Sequence, residues 1–223
     1  MQFIHAGEKR EIAIARLAIA GWAGRDEAAV RHHIRELEAL GVAPPSATPL
    51  FYRVEAARLT QARDVEVLGE AGSGEVEVCL IGDEAATLWV TLASDYTDRA
   101  LEAWSVAHAK QLCAKPLGSE IWPLAEVIGH WDSLVLESRI DGGTLYQRGP
   151  LSALLPIDAL LSRLPAALSQ QSRLKPGSAL LCGTLPVRGS IRFSKRFEMT
   201  LHDPIRARTL EHTHRIHPLP VAR

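Results

Sequence analysis

The chain has 223 residues, with 25 Lys and Arg against 26 Asp and Glu, a formal net charge of −1, and 47% hydrophobic residues. That length and composition support one well-buried globular core and exclude disorder, collagen, coiled coil and small disulfide scaffolds. The balanced charge argues against a dedicated nucleic-acid binder, which would carry a basic excess.

Cys79, Cys113 and Cys182 lie far apart and form no CxxC pair, which suits a reduced, cytoplasmic protein. The first ten residues do not read as a signal peptide. The apolar run from Ile12 to Ala23 contains Arg16 and is too short to cross a bilayer. Neither nucleic acid nor membrane is expected as a partner.

In chain order, residues 1–24 read as strands, although alanine makes a helix possible for the second run. Asp26 is a helix N-cap candidate. Val30, Ile34, Leu37 and Leu40 recur at helical spacing, which predicts a helix over about 27–40 that stops at Gly41. A connector with Pro44, Pro45 and Pro49 leads to a short strand at Phe51-Tyr52-Arg53-Val54. Strands are expected over 65–68, 75–81 and 88–92, with turns at 72–74 and 82–83. A helix is expected over 97–112, with Leu101, Trp104, Ala107 and Leu112 inside. Further on come a strand from Trp131 to Ile140, a helix over about 157–170 broken by Pro165, and a strand from Ser178 to Thr184. A closing hairpin is expected from 191–193 and 197–201. The whole reads as β-rich α+β, with helices inserted between strands.

The most chemical feature is Glu75-Val76-Glu77. Strand side chains alternate, so both carboxylates share a face. Like charges this close repel unless a proton or cation lies between them, and an all-oxygen site suits a hard divalent ion. The alternative is a solvated acidic edge. A third acid, Asp95, stands at a strand end, where it, or Thr97, could instead cap the next helix. His33 and Glu36, three apart, would share a helix face; so would His32 and Glu36. The run His212-Thr213-His214 reads as a peripheral strand or tail.

Taken in order, these segments resemble the fumarylacetoacetate hydrolase superfamily, in a compact branch known as the DUF2848 domain. The residues that carry the resemblance are His33-Ile34-Arg35-Glu36, Pro44-Pro45 leading to Phe51-Tyr52-Arg53, Glu75-Val76-Glu77, Ser94-Asp95, and Lys110 ahead of Pro116-Leu117-Gly118. Tyr146-Gln147 and Lys175-Pro176-Gly177 to Gly183-Thr184-Leu185-Pro186 complete the set. No one motif is specific; their order carries the likeness. Three departures stand out: a short stretch between Glu77 and Asp95, Arg53 in place of a lysine, and Cys182 in place of a threonine.

The resemblance implies a mixed β-sandwich roll in one domain: N-terminal strands and a candidate lid helix over 1–45, a catalytic roll over 46–210, and a tail over 211–223. It implies Mg²⁺ or Mn²⁺ held by Glu75, Glu77 and Asp95. The ion would act as a Lewis acid on the keto oxygen of a small 2-oxo or β-diketo acid and stabilise an enolate. Lys110, with Lys115 as rival, would add a second positive charge. His33 and Glu36 would activate water. Arg53, Gln147, Gly183 and Thr184 would meet the substrate. C–C bond hydrolysis is the expected reaction, with hydration or decarboxylation as the alternative and a non-catalytic binding relative as another. A homodimer is expected.

Overall fold

The computed structural model describes residues 1–39, 43–171 and 173–222, without the side chains of His33 and Leu37. Two mixed sheets face each other. The first is built from β3 (Arg16–Gly21), β4 (Leu50–Val54), β6 (Val76–Gly82), β7 (Leu88–Ser94), β8 (Trp122–Pro123) and β11 (Ser178–Thr184), in the order β8-β7-β6-β11-β3-β4. The second is built from β5 (Asp64–Leu68), β9 (Val135–Ile140), β10 (Thr144–Pro150), β12 (Arg196–Asp203) and β13 (Arg208–Leu219), in the order β10-β9-β12-β13-β5. Only β11–β3 and β13–β5 run parallel among these pairs. A separate hairpin, β1 (Gln2–His5) with β2 (Glu8–Glu11), opens the chain.

The first sheet is buried on both faces, which explains why its strands read as near-continuous apolar runs. Val76, Val78 and Leu80 of β6 point into the core between the sheets, against residues such as Leu136, Phe197 and Met199. Cys79 and Ile81 point the other way, to an outer cluster closed by Phe3, Ile12, Leu59, Leu117 and Ile121. Strand alternation therefore assigns every residue of β6 to one face or the other.

Helix α1 (Glu27–Ala39) begins where Asp26 accepts hydrogen bonds from Ala28 and Ala29 N–H at 2.9 and 3.1 Å. The Gly41 stop falls outside the described residues. Most of α1 is exposed.

The single helix expected over 97–112 is two: α2 (Arg99–Glu102) and α3 (Val106–Leu112). Asp98 caps the first by accepting from Leu101 N–H at 3.0 Å, and Ser105 caps the second. Two caps so close divide the run. The inward face is also not the apolar one. Trp104 is 73% exposed and Leu112 61%, whereas Ala109 and Lys110 are buried. The helix expected over 157–170 is α4 (Ile157–Ser162) alone. Residues 128–133 are helical turns rather than strand. The closing hairpin pairs β12 with β13, and 191–193 is no strand. His212 and His214 are on a strand and not in a tail: they lie on β13 opposite Met199 and Phe197 of β12, and His214 is buried against Phe197.

Candidate metal centre

The site grows out of the β6–β7 hairpin. Val76 pairs with Ser94 and Glu77 with Ala93, and Asp95 N–H donates to the Glu75 carbonyl at 2.9 Å. The connection between the two strands is a tight turn, where Asp83 accepts from Thr87 N–H and Trp89 Nε1, each at 2.8 Å. The short stretch noted in the sequence is therefore a direct hairpin, and it brings Asp95 back beside Glu75. Glu75 and Glu77 take the face opposite Val76, at the end of the outer cluster. Asp95 follows Ala93 onto that face. One oxygen from each of Glu75, Glu77 and Asp95 lies within 4.8 Å of the others.

The surroundings are buried and charged. Glu77 is 2% exposed and Asp95 0%. Lys110 of α3 donates to Asp95 Oδ2 and stands 4.0 Å from Glu75 Oε2. Lys115 Nζ pairs with Asp95 Oδ1 at 2.9 Å and donates to the Tyr96 carbonyl at 2.6 Å. The two lysines that the sequence set as rivals both reach the same carboxylate. Arg99 pairs with Glu75 at 3.0 Å and with Glu102 at 2.7 Å, and its Nε donates to Ser73. Arg99 had no sequence signal beyond following a helix cap.

These contacts set the protonation states. Burial would raise the Asp95 carboxyl, but the ammonium charges of Lys110 and Lys115 overcome it and hold it down at about 2. Burial works against the Lys110 charge, and Asp95 and Glu75 more than offset it, so this ammonium holds its proton above the usual lysine range. Glu77 goes the other way. Burial and then the neighbouring Asp95 and Glu75 charges push its carboxyl well up, opposed by Lys110 and by Gly183 N–H, which donates to Oε2 at 2.7 Å. A cation among the three oxygens relieves the repulsion that raises Glu77. The donor set, all hard oxygen, fits a divalent ion of the Mg²⁺ or Mn²⁺ kind.

Gly183 is placed by a bulge. Leu181 pairs with Cys79, but Thr184 pairs with Glu77, so β11 carries one extra residue there. Gly183 has a φ of +99°, and a Cβ would fall 2.8 Å from that of Ala23. Glycine alone fits both constraints.

Of the four residues expected to meet a substrate, the structure sets Arg53 on the far face and uses the hydrogen bonds of Gln147, Gly183 and Thr184 within the fold. Arg53 pairs across from Ala18, whose side chain faces the core between the sheets, while Tyr52 pairs with Ile19 on the outer face. Arg53 is exposed, bonds the Leu17 carbonyl at 3.3 Å, and lies on the opposite face from Glu77. It is Tyr52 that reaches the site, its ring centre 5.8 Å from Lys110 Nζ and its hydroxyl accepting from Trp22 Nε1 at 3.4 Å. Adjacent strand residues cannot share a face, and that alternation was the available signal. Gln147 is fully buried and saturated: its oxygen accepts from Val76 N–H and Ser138, and its amide donates to Thr184 and the Leu185 carbonyl. It braces the two sheets and has no hydrogen-bonding capacity left. Thr184 donates its hydroxyl to the Val76 carbonyl at 2.8 Å. Gly183 spends its N–H on Glu77. On α1, Glu36 pairs with His32 at 3.2 Å, both exposed; the side chain of His33 lies outside the described residues.

The fold is shared with solved enzymes, among them a fumarylacetoacetate hydrolase. Magnesium-bound 2-keto-3-deoxy-D-arabinonate dehydratase complexed with 2,5-dioxopentanoate superposes with a TM-score of 0.63 at 16% identity, over 96% of this chain and 79% of that one. Fumarylacetoacetate hydrolase from psychrophilic Exiguobacterium antarcticum gives 0.60 at 15% identity, over 96% and 80%. The 4-oxalocrotonate decarboxylase of Pseudomonas putida G7, complexed with magnesium and adipate, gives 0.60 at 14% identity, over 93% and 78%. At these identities the likeness speaks for the fold. Within it, the chain belongs to the family described as protein of unknown function (DUF2848), whose sequence profile matches residues 20–214. No curated protein sequence matches it significantly. Among the described residues, no helix is long and apolar enough to cross a membrane.

Proposed function

We propose that the chain is a divalent-metal-dependent enzyme that acts on a small 2-oxo or β-diketo acid, by hydrolysis of a C–C bond. The observation that carries this reading is the convergence of Glu75, Glu77 and Asp95 in a largely buried cluster ringed by Lys110, Lys115 and Arg99. Mg²⁺ or Mn²⁺ held by the three carboxylates would supply Lewis acidity toward a keto oxygen. Lys110 keeps its proton and offers a fixed positive charge beside the place where negative charge develops. Tyr52 limits the space next to that ammonium. Glu77, Asp95, Lys110 and Lys115 are buried, so their charges are little screened by solvent. In this reading α1 closes over the pocket, and Glu36 with His32 or His33 orients a water for attack.

Decarboxylation or hydration on the same centre is the second reading. It is favoured by the exposure of the His32–Glu36 pair, because decarboxylation consumes no water and so needs no base on α1 to activate one. The dehydratase, hydrolase and decarboxylase that share the fold span these possibilities. The unpaired cysteines suit a reducing compartment, and the working form is taken to be a homodimer.

The test is to incubate the purified chain and Mg²⁺ or Mn²⁺ with acylpyruvates, oxaloacetate and 2-hydroxypentadienoate. Cleavage of an acylpyruvate supports hydrolysis. Hydration or loss of CO₂ without cleavage selects the second reading. No turnover together with no metal affinity overturns both and leaves a binding protein.

A further inference from the structure

His212 and His214 stand apart from the carboxylate cluster and take no part in the proposed reaction. Two apart on β13, they share the strand face that carries Leu210 and Ile216 into the core. Their ring centres are 5.7 Å apart. His214 is 1% exposed, and neither of its ring nitrogens has a hydrogen-bond partner. His212 is half-buried, and its Nε2 is buried and unpartnered too. Buried polar atoms left unpaired cost free energy, a cost that Leu210 and Ile216 avoid on the same face.

A neutral imidazole offers a lone pair in its ring plane and is the commonest side-chain metal ligand. Burial, then His212, lowers His214 to about 3, and burial with Arg63 lowers His212 to about 4, so both rings are neutral at pH 7. Arg63 is exposed, and water screens its charge. The spacing suits one ion. Metal–nitrogen bonds of about 2.0–2.1 Å, with roughly 1.1 Å from nitrogen to ring centre, allow ring centres up to roughly 6.4 Å apart on a shared ion. An entry path exists as well: β5 pairs with β13 only from Arg215 onward, which leaves the His212 end of the pair outside that pairing. Nitrogen donors select Zn²⁺, Cu²⁺ or Ni²⁺ over the hard ions that oxygen prefers.

We propose that His212 and His214 form a separate metal site, which takes a borderline transition ion of the Zn²⁺ class through one nitrogen of each ring and leaves its remaining positions to water or a small anion. The site does not depend on the carboxylate centre and selects a different kind of ion.

Calorimetric titration of Zn²⁺ tests it on the purified chain, freed of metal with a chelator and then held in a large excess of Mg²⁺ to load the carboxylates. The expected result is a Zn²⁺ equivalent whose affinity falls at least about tenfold in His214→Phe and in His212→Gln, since even partners one shell out from a metal cost that much. The same equivalent persists in Glu77→Ala. His214→Phe keeps an aromatic ring against Phe197, and His212→Gln alters only a half-buried position, so either variant that is folded by circular dichroism decides the matter. A Zn²⁺ equivalent lost in Glu77→Ala and kept in the histidine variants belongs to the carboxylates and overturns the proposal. Absence of Zn²⁺ binding, or binding that neither histidine variant weakens, overturns it as well. The proposed reaction rests on the carboxylate centre and is untouched by failure here.

Discussion

Helix α1 and the hairpin end of β6 each carry a glutamate beside a positive or ionisable partner, and the fold treats them in opposite ways. Glu36 meets His32 in water, on a helix that lies mostly exposed. Such pairs contribute little, because water and salt screen them and both side chains lose freedom. Glu77 is enclosed, held by a backbone N–H from a bulge, and pressed by two further carboxylates. There each charge is expensive unless compensated, so every neighbour is specified. The comparison teaches that spacing alone finds candidate pairs, while burial decides which pair the structure is committed to.

The largest test of that contrast is Glu77→Ala. Mn²⁺ affinity should fall at least about 100-fold, since even partners one shell out from a metal cost ten- to a hundredfold. Retained affinity in calorimetry would move the centre elsewhere. Gly183→Ala comes next. The new Cβ meets Ala23 and the φ of +99° suits only glycine, so unfolding in urea should show a loss of about 2 kcal/mol, accompanied by weaker Mn²⁺ binding through the lost hold on Glu77. An unchanged midpoint would mean the bulge relaxes freely.

A pH series extends the contrast to histidine. His214 is buried with neither ring nitrogen hydrogen-bonded, and burial, then the nearby His212, lowers its pKa to about 3. His212 is lowered to about 4 by burial and by Arg63. Below pH 6.5 the unfolded chain binds protons that the folded chain refuses. Stability is therefore intact above that pH and declines as pH falls toward 4, at up to about 1.4 kcal/mol per pH unit for each fully buried ring. His214→Phe should flatten the decline measured by denaturant titration at pH 7, 6 and 5; an unchanged slope refutes the assignment. The smallest effect belongs to Glu36→Gln, which should alter stability by no more than about 0.5 kcal/mol. If α1 carries the water-activating base, the same variant loses acylpyruvate cleavage while retaining metal binding. Full cleavage activity would refute the role of Glu36 on a lid and leave C–C hydrolysis to a base elsewhere.

Much of the site was legible before the fold. Glu75 and Glu77 follow from alternation, and the short link to Asp95 becomes a hairpin that returns the third acid to the first. What stayed hidden depended on partners distant in sequence. Gln147 looks like a pocket amide until the register shows Val76, Ser138, Thr184 and Leu185 using all of it. Lys110 and Lys115 looked like competitors because a sequence cannot show that one carboxylate has two sides. The stretch from 97 to 112 misled for a physical reason. Amphipathic reading assumes that oil faces inward, and α3 faces inward with an ammonium, so Trp104 and Leu112 were assigned to the wrong side. His212 and His214 read as a peripheral strand or tail; the strand is there, and what the sequence does not show is the pairing of His214 with Phe197 that buries it.

The one-residue bulge in β11 has a consequence for how such a chain can change. Ahead of it, the pleat of β11 runs in step with β6; beyond it, the step is shifted by one. Removing the extra residue would let the two strands pair regularly, with Thr184 still opposite Glu77. What would be lost is the outward kink that turns Gly183 N–H onto the Glu77 carboxylate. The added residue therefore serves the carboxylate and not the pairing, and a deletion here would spare the sheet while stripping the acid of its backbone donor.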